Sequence, residues 1–151
     1  MDLITLLLTC APAVDPSTLA AIVQTESHGQ PYAIHDNRTG QSHWPKTKQA
    51  AVTLAQGLSA QGHSLDVGLG QISTGNFERL GLDFEGAFDP CTNLAASATI
   101  LISDYQLTDP QHSIQTRLTQ TLSRYNTGSA RGLFRIRVIS SHFSFGIYPI
   151  P

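Results

Sequence analysis

Five stretches of the chain carry apolar residues at the three- and four-residue spacing of a helix face. Asp-Pro pairs at 15–16 and 89–90 predict two helix starts, because aspartate caps the first turn and proline suits its first position. Pro12, Gly29 and Gly62 are typical helix stops. The five faces consist of Leu3, Leu6, Leu7 and Cys10; Leu19, Ile22 and Val23; Ala50, Ala51, Leu54, Ala55 and Leu58; Leu94, Ala95, Ala98, Leu101, Ile102 and Tyr105; and Ile114, Leu118, Leu122 and Tyr125.

The helical period fails in the middle third of the chain. Residues 30–48 contain two prolines and predict a long loop with a short strand at 32–35, and residues 64–73 predict a strand or turn. Shorter helices are predicted at 74–81 and 131–139. These elements together predict one domain, residues 1–151, of the α+β class, mainly α, with six or seven helices and a small β-sheet or hairpin.

Composition removes several classes of function. The chain has 151 residues, 13% of them charged, and a net charge of −2. This balance argues against nucleic-acid binding, and no apolar run is long enough to suggest stable membrane insertion. Residues 109–151 carry five arginines and one acid, against four basic and ten acidic residues in 1–108. The basic part is either a solvated helix face or a cleft wall facing an acidic polymer.

Glu26 is the most informative polar residue. It lies seven, four and three residues after the three apolar residues of the second helix, so helical spacing places its carboxylate on the apolar side. Desolvation and the negative end of the helix dipole both disfavour the charged form there. A protonated carboxyl group suits a general acid, while the alternative is a helix-end glutamate that turns to water.

Two other motifs offer polar groups to a ligand. Residues 68–72 read GLGQI, in which glycines allow close backbone approach and Gln71 is both donor and acceptor. Tyr125 and Asn126 end a predicted helix and present a hydroxyl and an amide, although Tyr125 also suits the core. The glycines do not complete a dinucleotide-binding motif. The six histidines show no helical metal pair, so we expect no metal and no cofactor.

Cys10 and Cys91 are the two cysteines of the chain. On residues alone they are either two buried thiols or one disulfide between the first helix and a distant helix start. A bridge would indicate an oxidising compartment.

Four motifs in order resemble the lytic transglycosylase domain: Glu26-Ser27, GLGQI at 68–72, Asp-Pro-Cys at 89–91 with Asn93-Leu94, and Tyr-Asn-Thr-Gly at 125–128. More narrowly, AAIVQTES and FDPCTNL resemble the specialised transglycosylases of type IV secretion and conjugation systems. The resemblance covers residues 10–135, and the tail after Leu133 departs from the family pattern.

The resemblance implies a lysozyme-like fold of the goose-type branch, acting on peptidoglycan glycan strands in the periplasm or cell envelope beside other secretion components. It implies cleavage of the β-1,4 bond between N-acetylmuramic acid (MurNAc) and N-acetylglucosamine (GlcNAc), leaving a 1,6-anhydromuramyl end. Glu26 would be the acid and base. Substrate-site roles fall on Ser27, Gln71, Asn93, Tyr125 and Asn126, with Tyr125 orienting the glutamate and Asn93 also open to a structural role. A Cys10–Cys91 disulfide is likewise implied.

Two rival functions remain. A hydrolase would need a second carboxylate to activate water, and Asp66 is the candidate, with Asp36 behind it. A non-catalytic glycan-binding or scaffold module would have no need of a buried acid at Glu26. Family members begin with an export signal that is not evident here, so the resemblance leads us to expect a mature or trimmed form.

Overall fold

The computed structural model describes residues 1–127. The helix predicted at 131–139 lies outside the described residues. Within them, the helices are α1 (Leu3–Cys10), α2 (Pro16–Ser27), α3 (Lys48–Ala60), α4 (Phe77–Leu80), α5 (Phe84–Ala87), α6 (Pro90–Gln106) and α7 (Ile114–Thr127). The strands are β1 (Ile34–Asp36), β2 (Gln41–His43), β3 (Leu65–Val67) and β4 (Ile72–Ser73). The prediction of a mainly α, α+β domain is confirmed.

Side-chain caps explain where the main helices begin. Asp15 accepts a hydrogen bond from the Ser17 amide at the start of α2, and Asp89 accepts one from Thr92 at the start of α6. A proline follows each aspartate, so both predicted Asp-Pro starts are confirmed. At its other end α2 stops at His28, which adopts the left-handed conformation with φ of 52°.

The sheet has four antiparallel strands in the order β2-β1-β3-β4. In its register Ile34 of β1 pairs with Val67 of β3, and both side chains are buried. The predicted strand and loop at residues 30–48 contain the β1–β2 hairpin, which sequence reasoning only half anticipated. Strand β2 reads Gln-Ser-His and is mostly exposed, so it lacks the apolar alternation that identifies a strand.

Two apolar clusters form the interior of the described chain. The first packs α1, α2, α6 and α7 together, with Leu19, Ile22 and Leu94 at its centre. The second packs α3 against the sheet, where the predicted small-residue stripe lets Ala51 and Ala55 approach closely and become fully buried. Helix α5, which sequence reasoning missed, contributes Ala87 to this second cluster.

Cys10 and Cys91 form a disulfide that joins the end of α1 to the start of α6. The bridge implied by the resemblance is therefore present. No helix among residues 1–127 combines the length and the apolar character needed to cross a bilayer.

Candidate active site

Two adjoining cavities, of about 450 Å³ and 200 Å³, open on the end of α2. They share four lining residues, Glu26, Asp66, Gln71 and Asn126. These residues come from α2, β3, the β3–β4 connection and α7, so the fold brings distant parts of the chain together here. Three of the four are site residues predicted from the sequence, and the fourth was the candidate base of the rival hydrolase.

Glu26 lies in the last turn of α2 and is half-buried. Desolvation raises the pKa of its carboxyl group, a hydrogen bond from Asn126 opposes that shift, and the charge of Asp66 adds to it. The Glu26 side chain therefore lies inward, and the pKa of its carboxyl group is raised, as the sequence predicted. A carboxyl group in this state holds its proton to higher pH than an exposed glutamate does.

Asn126 is the direct partner of the glutamate. Its side-chain Nδ2 donates to Glu26 Oε1 at 3.0 Å, across 100 positions of sequence. The amide holds the carboxyl group on the wall shared by the two cavities. Asn126 was predicted to present its amide to substrate, and its contact with Glu26 was not anticipated.

The GLGQI loop is shaped by the buried Asn93 side chain, which is 1% exposed. Asn93 Oδ1 accepts from the Gly70 amide at 2.8 Å, and Nδ2 donates to the Val67 and Ala87 carbonyls. Gly68 has φ of +78°, and a Cβ there would lie 2.7 Å from the Ala87 carbonyl oxygen. Glycine is therefore required at position 68 on both conformational and steric grounds.

Gln71 follows this loop and turns its side chain into both cavities. It too adopts a positive φ, of 50°, and its Nε2 donates to the carbonyls of Ala33 and Gly68. These two bonds fix the amide plane. The amide oxygen is then the atom of Gln71 that can accept a hydrogen bond from a ligand.

Tyr125 differs from the sequence expectation in its partner. Its hydroxyl donates to the Gly70 carbonyl at 2.8 Å rather than to Glu26. Burial raises the pKa of this phenol, so it remains a donor throughout the physiological range. Tyr125 therefore ties α7 to the GLGQI loop, and Asn126, its neighbour in sequence, makes the bond to the glutamate.

Ser27 and Asn93 do not line either cavity. Ser27 is fully buried, and its hydroxyl donates to the Val23 carbonyl within α2. Both side chains hold backbone in place, which matches the structural role that was left open for Asn93.

Asp66 and Asp36 occupy different environments. Asp66 lines both cavities, and desolvation raises its pKa against hydrogen bonds from Asn37 and Ser73 and the charge of His35. Asp36 is 1% exposed and lies 2.7 Å from His63 Nδ1. Burial would raise the pKa of Asp36, but hydrogen bonds led by that from His63 outweigh it and lower the pKa to about 2. Asp36 belongs to the scaffold, and Asp66 belongs to the cleft.

The amino-acid sequence matches the family described as "Transglycosylase SLT domain" over residues 7–138. The chain belongs to this family. The transglycosylase SLT match includes Glu26, the GLGQI loop and the Tyr-Asn pair at 125–126, the segments that meet at the two cavities.

Curated relatives of this SLT domain include virB1 proteins of Agrobacterium and Brucella. "Protein virB1" of Agrobacterium fabrum is 48% identical over 120 residues, which are 79% of this chain and 49% of the relative. "Type IV secretion system protein virB1" of Brucella abortus biovar 1 is 35% identical over 130 residues, 85% of this chain and 55% of the relative. The chain thus spans about half the length of the curated relatives it matches. No solved structure matches it.

Sequence reasoning missed several residues of the SLT cleft. The larger cavity is also lined by Arg79, Asp104 and Arg124, and the smaller one by Trp44, which is 51% exposed and whose ring lies 6.3 Å from that of His28. A lone tryptophan in a polar loop was a signal that could have found Trp44. Arg79 had no such local signal, whereas Arg124 belongs to the basic residues 109–151, for which a cleft wall was one of the two interpretations.

Replacing Tyr125 with Phe is expected to lower the free energy of unfolding by about 0.5–1.5 kcal/mol, since one hydrogen bond is lost and packing is kept. The Gly70 carbonyl loses its donor, and the GLGQI loop loses its tie to α7. Urea denaturation of the variant and the parent protein measures the difference. Tyr105→Phe, outside both cavities, is the control. Equal stability of Tyr125→Phe and the parent would contradict the role given to this bond.

Proposed function

We propose that this SLT domain is a peptidoglycan lytic transglycosylase that cleaves the MurNAc-β-1,4-GlcNAc bond and leaves 1,6-anhydromuramyl ends. The observation that carries the proposal is Glu26, a half-buried carboxyl group with a raised pKa, held by Asn126 in the wall of a cleft. Such a group keeps its proton to higher pH than an exposed glutamate does and can give it to a leaving oxygen.

In the proposed reaction Glu26 acts twice. It first protonates the glycosidic oxygen as the bond to the muramoyl C1 breaks, while the N-acetyl group on C2 of the same sugar assists at C1. The resulting carboxylate then takes the proton from the C6 hydroxyl of the same sugar as its oxygen bonds to C1. The proton lost in the first step is recovered in the second, so no water is consumed and one carboxylate suffices.

The surrounding residues have distinct proposed roles. Asn126 orients Glu26 and stabilises its ionised form between the two proton transfers, because its donated hydrogen bond favours the charged state. The Gln71 amide oxygen accepts a hydrogen bond from the sugar. Ser27 and Asn93, which lie outside both cavities, position α2 and the GLGQI loop, and Tyr125, which lines the larger cavity, ties α7 to that loop.

A hydrolase is the second candidate, and Asp66 is the observation that favours it. Asp66 lines both cavities with Glu26, and its charge acts on that carboxyl group. As a carboxylate it could activate a water molecule for attack on the sugar. The raised pKa of Asp66 weighs against this role, because a buried carboxyl group is ionised over a narrower pH range.

Mass spectrometry of peptidoglycan digested by the protein separates the candidates. Anhydromuramyl ends support the transglycosylase, reducing ends support the hydrolase, and binding without any cleavage supports a glycan-binding or scaffold module. Digestion in ¹⁸O-labelled water sharpens the reading, since only hydrolysis incorporates the label.

We also propose that the activity serves a type IV secretion or conjugation apparatus in the periplasm, by opening the cell wall locally. The name of the Brucella relative, a type IV secretion system protein, supports this role. The Cys10–Cys91 disulfide supports it too, because such bridges persist in an oxidising compartment.

Two variants should shift the basic limb of the pH profile of kcat/KM, the side on which activity falls, in opposite directions. Glu26 must be protonated at the start, so activity falls as pH rises through its pKa. Asn126→Ala removes a bond that lowers that pKa, and the basic limb is expected to move to higher pH. Asp66→Asn removes a charge that raises it, and the limb is expected to move to lower pH.

Rate profiles between pH 4 and 9 measure both shifts. Glu85→Gln, an exposed carboxyl group paired with Lys48 outside both cavities, removes a charge without moving the limb. Shifts of the same sign in Asn126→Ala and Asp66→Asn would show that Glu26 is not the group that titrates.

A further inference from the structure

Two arginines from different helices line the larger cavity. Arg79 lies on α4 and Arg124 on α7, and both guanidinium charges act on the carboxyl group of Asp104 of α6, which lines the same cavity. Glu26 lines this cavity as well. A substrate bound for cleavage at Glu26 would therefore lie beside both arginines.

Arg124 has an unsatisfied donor. Its Nε atom is buried and has no hydrogen-bond partner among residues 1–127. A buried donor on a charged group is costly to leave unpaired, and nearly all such groups in folded proteins have a partner. The cleft thus contains a guanidinium group with at least one donor that no described residue satisfies.

Neither arginine has a close ion-pair partner among the described residues. Within residues 1–127 the ion pairs closer than 4.0 Å are Lys48–Glu85 and His63–Asp36. Arg79 uses one donor on the Asn76 side-chain oxygen, at 3.3 Å. The cavity is also lined by the carboxyl groups of Glu26, Asp66 and Asp104, and none of them forms a direct salt bridge with either guanidinium group.

We propose that Arg79 and Arg124 bind a carboxylate of the peptide stem attached to the muramoyl sugar. The guanidinium fork matches a carboxylate with two parallel hydrogen bonds between opposite charges, and a neutral sugar group does not offer that charge. The stem is joined to the sugar on which Glu26 acts. The lactyl carboxyl group of that sugar is already used in the bond to the peptide. The free acids are therefore those of the stem itself.

This inference rests on the proposed function and adds a preference to it: cleavage of peptide-bearing strands whose stem acids are ionised. The arginines act on substrate binding and positioning, while proton transfer stays with Glu26. The preference is thus expected in Kd and KM, with a smaller effect on kcat.

The test compares peptide-bearing glycan strands with the same strands after carbodiimide and ammonia have converted their carboxyl groups to amides. This treatment keeps size and removes charge. For the parent protein, equilibrium binding and kcat/KM are both expected to be about tenfold weaker on the amidated strands, the effect of one charged hydrogen-bonded contact.

Three variants and one control locate the effect. Arg124→Gln and the exposed Arg79→Gln should each lower binding and kcat/KM on native strands about tenfold, with little change on amidated strands. Arg124→Lys keeps the charge without the fork and should fall between Arg124→Gln and the parent. Lys48→Gln changes the net charge equally, lies outside both cavities, and should behave as the parent.

Equal binding of native and amidated strands by the parent would overturn the inference and leave the transglycosylase proposal intact. Equal losses on both strands in the two arginine variants would also overturn it, because they would indicate a purely structural role. Conversely, a parent that cleaves neither strand but binds native strands more tightly would contradict the proposed activity and support the carboxylate site.

Discussion

Replacing Glu26 with Gln is expected to lower peptidoglycan turnover about 10²–10⁴-fold, the usual contribution of a general acid or base. Gln keeps the shape of the side chain and keeps an oxygen that can accept the bond from Asn126, but it has no transferable proton. Muropeptide release measured by liquid chromatography gives the rate. Glycan binding should be largely retained, since the cavity walls do not change.

The stability of Glu26→Gln as a function of pH is a second, independent test of the state of this carboxyl group. Because the pKa of Glu26 is raised in the fold, ionisation opposes folding, and the parent loses stability as pH rises through the folded pKa. Glu26→Gln removes this loss, so the variant should be equally or more stable at neutral pH and relatively more so at higher pH.

Glu85→Gln is the matched control, because it makes the same chemical change at an exposed position outside the cleft. It should keep full turnover. A well-folded Glu26→Gln protein that retains substantial activity would rule out the single-acid mechanism.

Removing the disulfide is expected to have the largest effect on stability. The bridge spans 81 positions, and the chain-entropy relation gives about 4–5 kcal/mol for a loop of that length. This is a large fraction of the stability of a typical domain, so the melting temperature of Cys10→Ala/Cys91→Ala should fall by more than about 10 °C. Differential scanning calorimetry or thermal circular dichroism measures the shift.

Reductant supplies the control for the disulfide prediction. The parent should melt lower in dithiothreitol, and the double variant should not respond to it. Neither cysteine lines either of the two cavities that contain Glu26, so the folded fraction of the variant should keep its turnover at low temperature. A double variant as stable as the oxidised parent would refute the structural importance of the bridge.

Local chemistry explains the parts of this protein that sequence reasoning predicted. Asp15-Pro16 and Asp89-Pro90 start helices because the cap and the fixed φ act within one turn. Helical spacing alone places Glu26 on the inner side of α2, and burial then raises its pKa. The mainly helical class and the acidic site residue both follow from contacts between near neighbours in sequence.

Partners across long distances could not be predicted in this way. Tyr125 and Asn126 are adjacent, and successive helix positions point about 100° apart, so the rotation of α7 about its own axis decides which of them meets the glutamate. In the structure Asn126 donates a hydrogen bond to Glu26, and Tyr125 donates one to the Gly70 carbonyl. Nothing local to either residue distinguishes these two arrangements.

The sequence by itself thus determined the helix starts, the fold class and the inward position of Glu26, because each depends on residues within one or two turns. Only the tertiary structure decided that Asn126 holds the glutamate and that Arg79 and Arg124 line one cavity. It also decided that the polar strand β2 pairs with β1. The physical reason is that these features depend on how whole helices and strands pack, and packing sums many weak contacts that no short motif encodes.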